Sequence, residues 1–263
     1  MNSYLIAFKK TLKRLLLEGR LYKIEPLIFS KSFDVWQRYS EAIKIIRSMS
    51  DSFLSILEVG AGGSGITGWL DNSKSLFVTL VDLNFNRLKR DERLKNCEYV
   101  IADGCQLPFV DYSFHMVISL ATLEHIHRKN RIKFADNLKR VAKKKVIIYA
   151  PIAPVAKIGD ERFFKTHKRL FRTENRQTME HMMFGQPTLR ELKEMFPGCS
   201  FKLFQNLIVW YITMILARLR IIGWLTGLLY VTILHKVDKK PPFYGCILSW
   251  DKLKEGNTFE SNK

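Results

Sequence analysis

Apolar residues follow two different periods along this 263-residue chain. Short, mostly apolar runs at 53–59, 76–82, 97–101, 114–120 and 145–150 have the length of strands. Between and before them, apolar positions recur at helical spacing, which predicts helices over Phe33–Met49, from about 65, over 84–90 and over 129–142. Apolar strands alternating with helices imply a parallel sheet covered on both faces. Pro151 and Pro154 end that pattern. Residues 151–186 are polar, basic and rich in aromatics without a clear period, and are expected to form a loop or lid over a site. Helical spacing returns at 188–196, a strand is expected at about 199–205, and Phe243–Trp250 reads as a last strand.

Two segments carry apolar residues that the sheet does not account for. In Met1–Glu25, Tyr4, Leu5, Phe8, Leu12, Leu15 and Leu16 fall at helical spacing, with Lys9, Lys10, Lys13 and Arg14 mostly elsewhere. Charges interrupt any apolar core of a signal peptide, so the segment reads as a basic amphipathic helix, resting on a membrane surface or packed on the sheet. Farther on, Leu207–Ala217 and Ile221–Leu234 are apolar runs separated by Arg218 and Arg220. Each is shorter than a spanning helix requires, and two arginines near the middle of a joined helix would be expensive in lipid. A helical hairpin dipping into one leaflet, two helices packed on the protein, and a true span all remain open. The chain divides accordingly into basic helices at 1–50, a core at 51–205 with its lid or acceptor loop at 151–186, an apolar helical insertion at 206–239, a last core strand at 240–252, and a flexible tail at 253–263.

Composition narrows the chemistry only a little. Four cysteines, Cys97, Cys105, Cys199 and Cys246, lie far apart without a C-x-x-C pair, so neither a zinc knuckle nor a disulfide framework is expected, and a reducing cytoplasm is the simplest location. No histidine spacing of the H-E-x-x-H kind is present, so no metal is implied. With 43 Lys and Arg against 25 Asp and Glu, the net charge of +18 would draw the chain towards nucleic acid or the anionic inner face of a membrane.

The densest signal is Ile56-Leu-Glu-Val-Gly-Ala-Gly-Gly-Ser-Gly65, an apolar strand running into a glycine cluster at a helix start. Glycines there let the backbone approach a ligand closely. Gly60, Gly62 and Gly65 satisfy G-x-G-x-x-G, so a nicotinamide-dependent dehydrogenase is one reading. Three acids, Glu58, Asp82 and Asp103, stand at three successive strand ends. In a parallel sheet those ends line the ligand crevice, so the carboxylates should converge on one ligand.

These residues resemble the class I S-adenosylmethionine-dependent methyltransferases, in particular the broad group that includes the ubiquinone-biosynthesis type. The resemblance rests on Leu57-Glu-Val-Gly-Ala-Gly62, Val81-Asp-Leu83 and Ile101-Ala-Asp-Gly104, on Leu107-Pro-Phe-Val-Asp-Tyr-Ser-Phe-His-Met-Val-Ile-Ser119, and on Ala121-Thr-Leu-Glu-His-Ile126. It covers about residues 50–150, with His115 where the family commonly has aspartate. It implies a Rossmann-like α/β fold: a mostly parallel seven-stranded sheet with an antiparallel last strand, here with the apolar helical insertion added. It implies S-adenosyl-L-methionine as cofactor. The turn Gly60–Gly65 would lie under the methionine and ribose, Glu58 would hold the amino end through water, and Asp82 would take the ribose hydroxyls. Asp103 would take the adenine amine beside the amides of Gly104 and Cys105, with Leu83 and Ser119 also at the cofactor. A carboxylate suits each of these donors: an ammonium, a diol and an exocyclic amine. Glu58 and the 107–119 block have no role in hydride transfer, which weakens the dehydrogenase reading.

The acceptor is less legible. His125, just past the fourth strand, falls where this family places its acceptor, and is a candidate base or orienting group, or else a structural histidine. His167-Lys168, Glu180-His181 and Gly185-Gln-Pro187 resemble a pattern of prokaryotic members linked to surface-polysaccharide or lipid-linked metabolism. His125 and His181 are therefore the expected catalytic pair. Ser119-Leu-Ala-Thr122 stands where amino-methylating nucleic-acid enzymes carry N-P-P-Y or D-P-P-Y, leaving charge alone in favour of RNA. The expected acceptor is a hydroxyl on a small molecule, lipid, quinone or lipid-linked saccharide, with the protein cytoplasmic or peripheral on the inner membrane face. An RNA methyltransferase and a non-catalytic membrane-docking protein on the same fold are the alternatives.

Overall fold

A computed structural model of the chain describes residues 33–49, 53–62, 65–70, 75–84, 97–218 and 229–252. The elements in chain order are α1 (Phe33–Arg47), β1 (Phe53–Val59), a 3-10 turn (Gly65–Gly68), β2 (Ser75–Asp82), β3 (Cys97–Ile101), β4 (Phe114–Leu120), and α2 (Arg131–Val141) after two further 3-10 turns. There follow β5 (Ala142–Pro151), α3 (Val155–Phe171), α4 (Arg176–Phe184), α5 (Leu189–Met195), β6 (Ser200–Asn206), α6 (Leu207–Arg218), a π turn (Tyr230–Leu234) running into α7 (His235–Asp238), and β7 (Phe243–Asp251).

The strands form one seven-stranded sheet in the order β3-β2-β1-β4-β5-β7-β6. All neighbours are parallel except that β7 runs against both β5 and β6. The chain winds outward one way through β1, β2 and β3 and the other way through β4 and β5. The carboxyl ends of β1 and β4 therefore flank the switch point where an open α/β sheet takes its ligand.

Strand parity decides which side chains can reach that crevice. Leu54 and Ile56 of β1, Met116 and Ile118 of β4, and Ile147 and Tyr149 of β5 belong to the core that packs with Tyr39, Ala42, Ile43 and Ile46 of α1. Leu57, Val59, Val117, Val146 and Ile148 point to the other face and pack with Phe134 and Leu138 of α2, and with Leu192 of α5. Glu58 shares the parity of Leu54 and Ile56; Ser119 shares that of Val117.

Several sequence expectations change here. Residues 151–186 are chiefly two helices, α3 and α4, rather than a loop. The buried stripe of α3 is Ala156, Gly159, Asp160, Phe163 and His167, so its inward positions keep helical spacing while two of them are polar, which hid the apolar period. The helix expected from about 65 is a 3-10 turn over Gly65–Gly68. β5 begins at Ala142, earlier than the apolar run, because Ala142 and Val141 are buried with lysines between them and the strand core. The expected helices over 1–25 and 84–90 and the tail at 253–263 lie outside the described residues.

Among the described residues no helix is long and apolar enough to cross a membrane. α6, the first apolar run of the insertion, packs on the protein: Val209, Trp210 and Thr213 are its buried residues. Trp210 stacks on Tyr244 with ring centroids 3.8 Å apart and meets Phe163 edge-on at 5.8 Å. Val209 packs against Trp36, Tyr230 and Leu234, joining α6 to α1 and the π turn. Because Trp210 is 3% exposed, Trp210→Ala should cost about 3–5 kcal/mol by chemical denaturation; a loss below about 1 kcal/mol would mean that α6 is not docked on α3 and β7.

Candidate active site

Two adjoining cavities lie at the carboxyl ends of β1, β2, β3 and β4. The outer cleft, about 670 Å³, is lined on its sheet side by Gly60, Gly62, Gly65, Asp82, Leu83, Asp103 and Gly104, with Arg38, Tyr39, Thr122 and His125 among the facing residues. Its volume falls in the range of small-molecule sites. The inner chamber, about 100 Å³, includes Asp34, Glu124, Tyr149, Asp160, His181 and Tyr244 in its wall. Arg38, Ala121, His125 and Gln177 line both cavities, so they stand at the boundary between them.

The glycine turn is held from two sides. The amides of Gly60 and Ala61 both donate to the Val81 carbonyl, at 2.8 and 3.1 Å, which fastens the turn to β2. Asp82 Oδ2 accepts from the Gly62 amide and Oδ1 from the Asn84 amide, both at 2.9 Å. Glu58 lies beneath: Oε1 accepts from the Tyr39 hydroxyl at 2.8 Å and Oε2 from the Ile66 amide at 2.5 Å. At Gly65, with φ +52°, an added Cβ would sit 2.4 Å from that Oε2, so only glycine lets the chain pass over the carboxylate. At Gly62, with φ +66°, the same Cβ would meet nothing within 4 Å, because the backbone faces the open cleft.

The sequence-predicted site residues thus separate into three groups. Gly60, Gly62, Gly65, Asp82, Leu83, Asp103 and Gly104 line the outer cleft, and His125 and His181 line the chamber. Glu58, Cys105 and Ser119 do not line the outer cleft. Glu58 is 1% exposed and turned into the fold, and Ser119 lies buried on the opposite face of the sheet, as its parity requires. The Cys105 amide closes a turn onto Asp103 Oδ1 at 2.9 Å, and burial raises its thiol pKa, with the Asp103 charge adding to the shift. His115 bonds Ser55 at the start of β4, at the far end of the sheet. Sequence reasoning missed Arg38 and Tyr39, which come from α1, and Trp69, whose ring stacks on Tyr39 at 5.6 Å.

Past β4 the chain turns sharply. Ala121, at φ +58°, donates its amide to the Tyr149 carbonyl at 3.0 Å. The following 3-10 turn, Leu123–His125, then aims Glu124 and His125 at the chamber. His125 Nδ1 lies 2.9 Å from Glu180 Oε2, and Arg176 donates to the other Glu180 oxygen at 3.0 Å. His181 Nδ1 lies 2.9 Å from Asp160 Oδ2. Asp160 is 1% exposed and also accepts from Gln186 and Tyr244. The two Nε2 atoms stand 3.3 Å apart. Burial pulls His125 below its ordinary pKa, with the neighbouring His181 pushing the same way against the Glu124 and Glu180 charges. Burial also opposes charge on His181, but the Asp160 hydrogen bond and the Glu124 and Asp160 charges outweigh it and hold His181 above its usual value.

A family described as "Methyltransferase domain" matches residues 57–150, the stretch that supplies the glycine turn, Asp82, Asp103 and His125. Residues 57–150 therefore match a methyltransferase domain, and the sheet around them has the fold of class I methyltransferases. Solved structures share its fold at low identity. Phosphoethanolamine N-methyltransferase 2 of Haemonchus contortus, in complex with S-adenosyl-L-methionine, is 17% identical with a TM-score of 0.54, over 90% of this chain and 58% of that one. The YcgJ protein of Bacillus subtilis is 17% identical with a TM-score of 0.50, over 80% and 96%. A proposed sarcosine dimethylglycine methyltransferase of Galdieria sulphuraria is 12% identical with a TM-score of 0.51, over 83% and 84%. No curated protein sequence matches the chain.

The buried Glu58 gives the turn a pH signature. Burial pushes its carboxyl up to about 7 against the pull of the Ile66 amide, the Tyr39 hydroxyl and the Arg38 charge. The folded state therefore holds this proton more tightly than the unfolded chain, whose carboxyl titrates near 4.5. The linked stabilisation is complete below about 4.5 and is lost as pH rises through about 7. Stability should decline across that window by on the order of 3 kcal/mol from this group, and Glu58→Gln should remove the decline. Denaturant unfolding at pH 5 and pH 8 reads the difference, and an identical pH dependence in the variant would refute the assignment.

Proposed function

We propose that this methyltransferase passes a methyl group from S-adenosyl-L-methionine to a hydroxyl carried by a lipid, quinone or lipid-linked saccharide at a membrane surface. The observation that carries the acceptor chemistry is the position of His125: one imidazole, braced at Nδ1 by Glu180, borders both the outer cleft and the buried polar chamber.

The outer cleft suits the donor. Gly62 offers backbone with open space where a side chain would stand, and Asp82 and Asp103 offer carboxylates to a diol and an amine. Gly60, Gly62, Gly65, Asp82, Leu83, Asp103 and Gly104 would hold the cofactor, while Glu58 sets the turn from below. Bound there, S-adenosyl-L-methionine supplies a methyl on a sulfonium for direct displacement. The chain's share is to align the acceptor and to accept its proton. Alignment within a closed site provides much of such a rate. His125 Nε2 takes the hydroxyl proton, Glu180 fixes the ring through Nδ1, and the depressed pKa favours the neutral ring, which has a lone pair free to accept it.

Support for an apolar carrier comes from the helices around the chamber. Leu170 of α3, Met183 of α4 and Ile208 of α6 are exposed, on helices that pack beside the chamber wall. A net charge of +18 would add attraction to anionic headgroups.

Asp82→Asn should weaken S-adenosyl-L-methionine binding by about 10- to 100-fold in calorimetry, since a charged hydrogen-bond acceptor is lost. His125→Ala should leave that binding within about twofold and lower the turnover by about 100-fold or more. Labelled-methyl transfer to separated lipid and RNA fractions of a host extract tests the acceptor: label in the lipid fraction is expected, and label confined to RNA would replace this reading with a nucleic-acid one.

A further inference from the structure

The histidine pair poses an electrostatic problem that a bound cation would solve. A carboxylate can only accept, so each Nδ1 facing one carries the hydrogen, and a neutral ring then presents a bare lone pair at Nε2. With both rings neutral, the two Nε2 atoms, 3.3 Å apart, would face each other lone pair to lone pair. Beside them lies Glu124, 1% exposed, with Oε1 4.0 Å from His181 Nε2 and Oε2 without a hydrogen-bond partner among the described residues. A buried carboxylate oxygen left this way is costly unless something positive meets it.

The surrounding charges point the same way. Four carboxylates face the pair: Asp34 from α1, Glu124 from the turn after β4, Asp160 from α3 and Glu180 from α4. The cations lining the same cavities are Arg38, which faces Asp34 at 3.4 Å, and Arg176, which is bound to Glu180. Four negative and two positive groups leave two negative charges. A proton shared between the rings would relieve the lone pairs but cancel only one of them.

We propose that Glu124, His125 and His181 form a binding site for one divalent transition-metal ion of the zinc type. Their ligand atoms all lie within 4.8 Å of one another. Metal–nitrogen bonds of about 2.0–2.1 Å at tetrahedral angles hold two nitrogens about 3.3 Å apart, the separation found here. Two imidazoles and one carboxylate are a donor set that such ions favour, and three protein ligands leave a position open. Glu180 and Asp160 then have the orienting role of carboxylates behind metal-bound histidines, each fixing a tautomer from Nδ1. With the ion in place, His125 and His181 hold the metal, and the open position would take the acceptor hydroxyl and lower its pKa, so that its proton is lost to water in the cleft instead of to His125 and the resulting oxygen receives the methyl as the sulfonium leaves as a thioether. That last use rests on the hydroxyl-acceptor reading; the site itself does not.

Chelator-treated full-length protein, titrated with Zn2+ by calorimetry and with Co2+ by visible absorption, should take up one ion per chain at this site with a low-symmetry Co2+ spectrum. The double variant His125→Gln/His181→Gln should weaken uptake by about 100-fold, and Glu180→Gln by about 10-fold or more. S-adenosyl-L-methionine titration of each variant reports whether its fold is intact. An absence of uptake up to millimolar metal, or equal uptake by a folded double variant, overturns the proposal. Ion uptake at these residues with no label reaching a lipid would overturn the acceptor reading and leave the metal site standing.

Discussion

A carboxylate buried at the end of the first strand organises the donor side of this molecule. Glu58 is taken from water by the sheet, by Tyr39 and by the chain crossing above it, so both its oxygens need donors. One oxygen takes the Tyr39 hydroxyl and ties α1 to β1; the other takes the Ile66 amide and fixes where the glycine turn ends. Gly65 has to be glycine because the carboxylate occupies the space its side chain would need. Asp82 fastens the same turn from the next strand through the Gly62 amide. The shape of the cleft therefore follows from satisfying one buried acid, with a second acid in reserve.

The chamber follows a comparable rule. Asp160 and Glu124 are each 1% exposed, and the histidines, arginines and tyrosine around them supply hydrogen bonds and charge. Asp160 satisfies its oxygens with His181, Gln186 and Tyr244 and is thereby settled. Glu124 is not, and the unsatisfied oxygen is the clearest sign that the chamber is built around a ligand of its own. Donor and acceptor functions thus meet at His125 without sharing the groups that hold each in place.

What could be read from the sequence was whatever is local. Each strand run, the glycine cluster and each acid at a strand end is a feature of a few adjacent residues, and the alternation of strands with helices implies the parallel sheet. What could not be read depends on distant packing or on parity. Ser119 sits in a matching motif, yet its strand register turns it to the covered face. α3 buries Asp160 and His167 in its inward stripe, which erased the apolar period and made two helices look like a loop. His125 and His181 were each noticed, but their approach to within 3.3 Å, with Glu124 alongside, needed α4 to fold back over the turn after β4. The histidine ligand spacing that a sequence scan seeks does not exist here, because the cluster is assembled across 57 positions, from 124 to 181.

The matched domain ends at residue 150, and the walls of the two cavities do not. Arg38 and Tyr39 precede it; Asp160, Arg176, Glu180 and His181 follow it. The matched stretch supplies the sheet side of the outer cleft, and the flanking segments close that cleft from the other side and build most of the chamber. Exchanging α1, α3 and α4 for other sequences would rebuild the chamber and one wall of the outer cleft, and the glycine turn would keep its support only if a hydroxyl still reached Glu58 from the incoming α1. That single contact is the coupling through which an appended segment, chosen for its substrate, also has to answer for the stability of the turn.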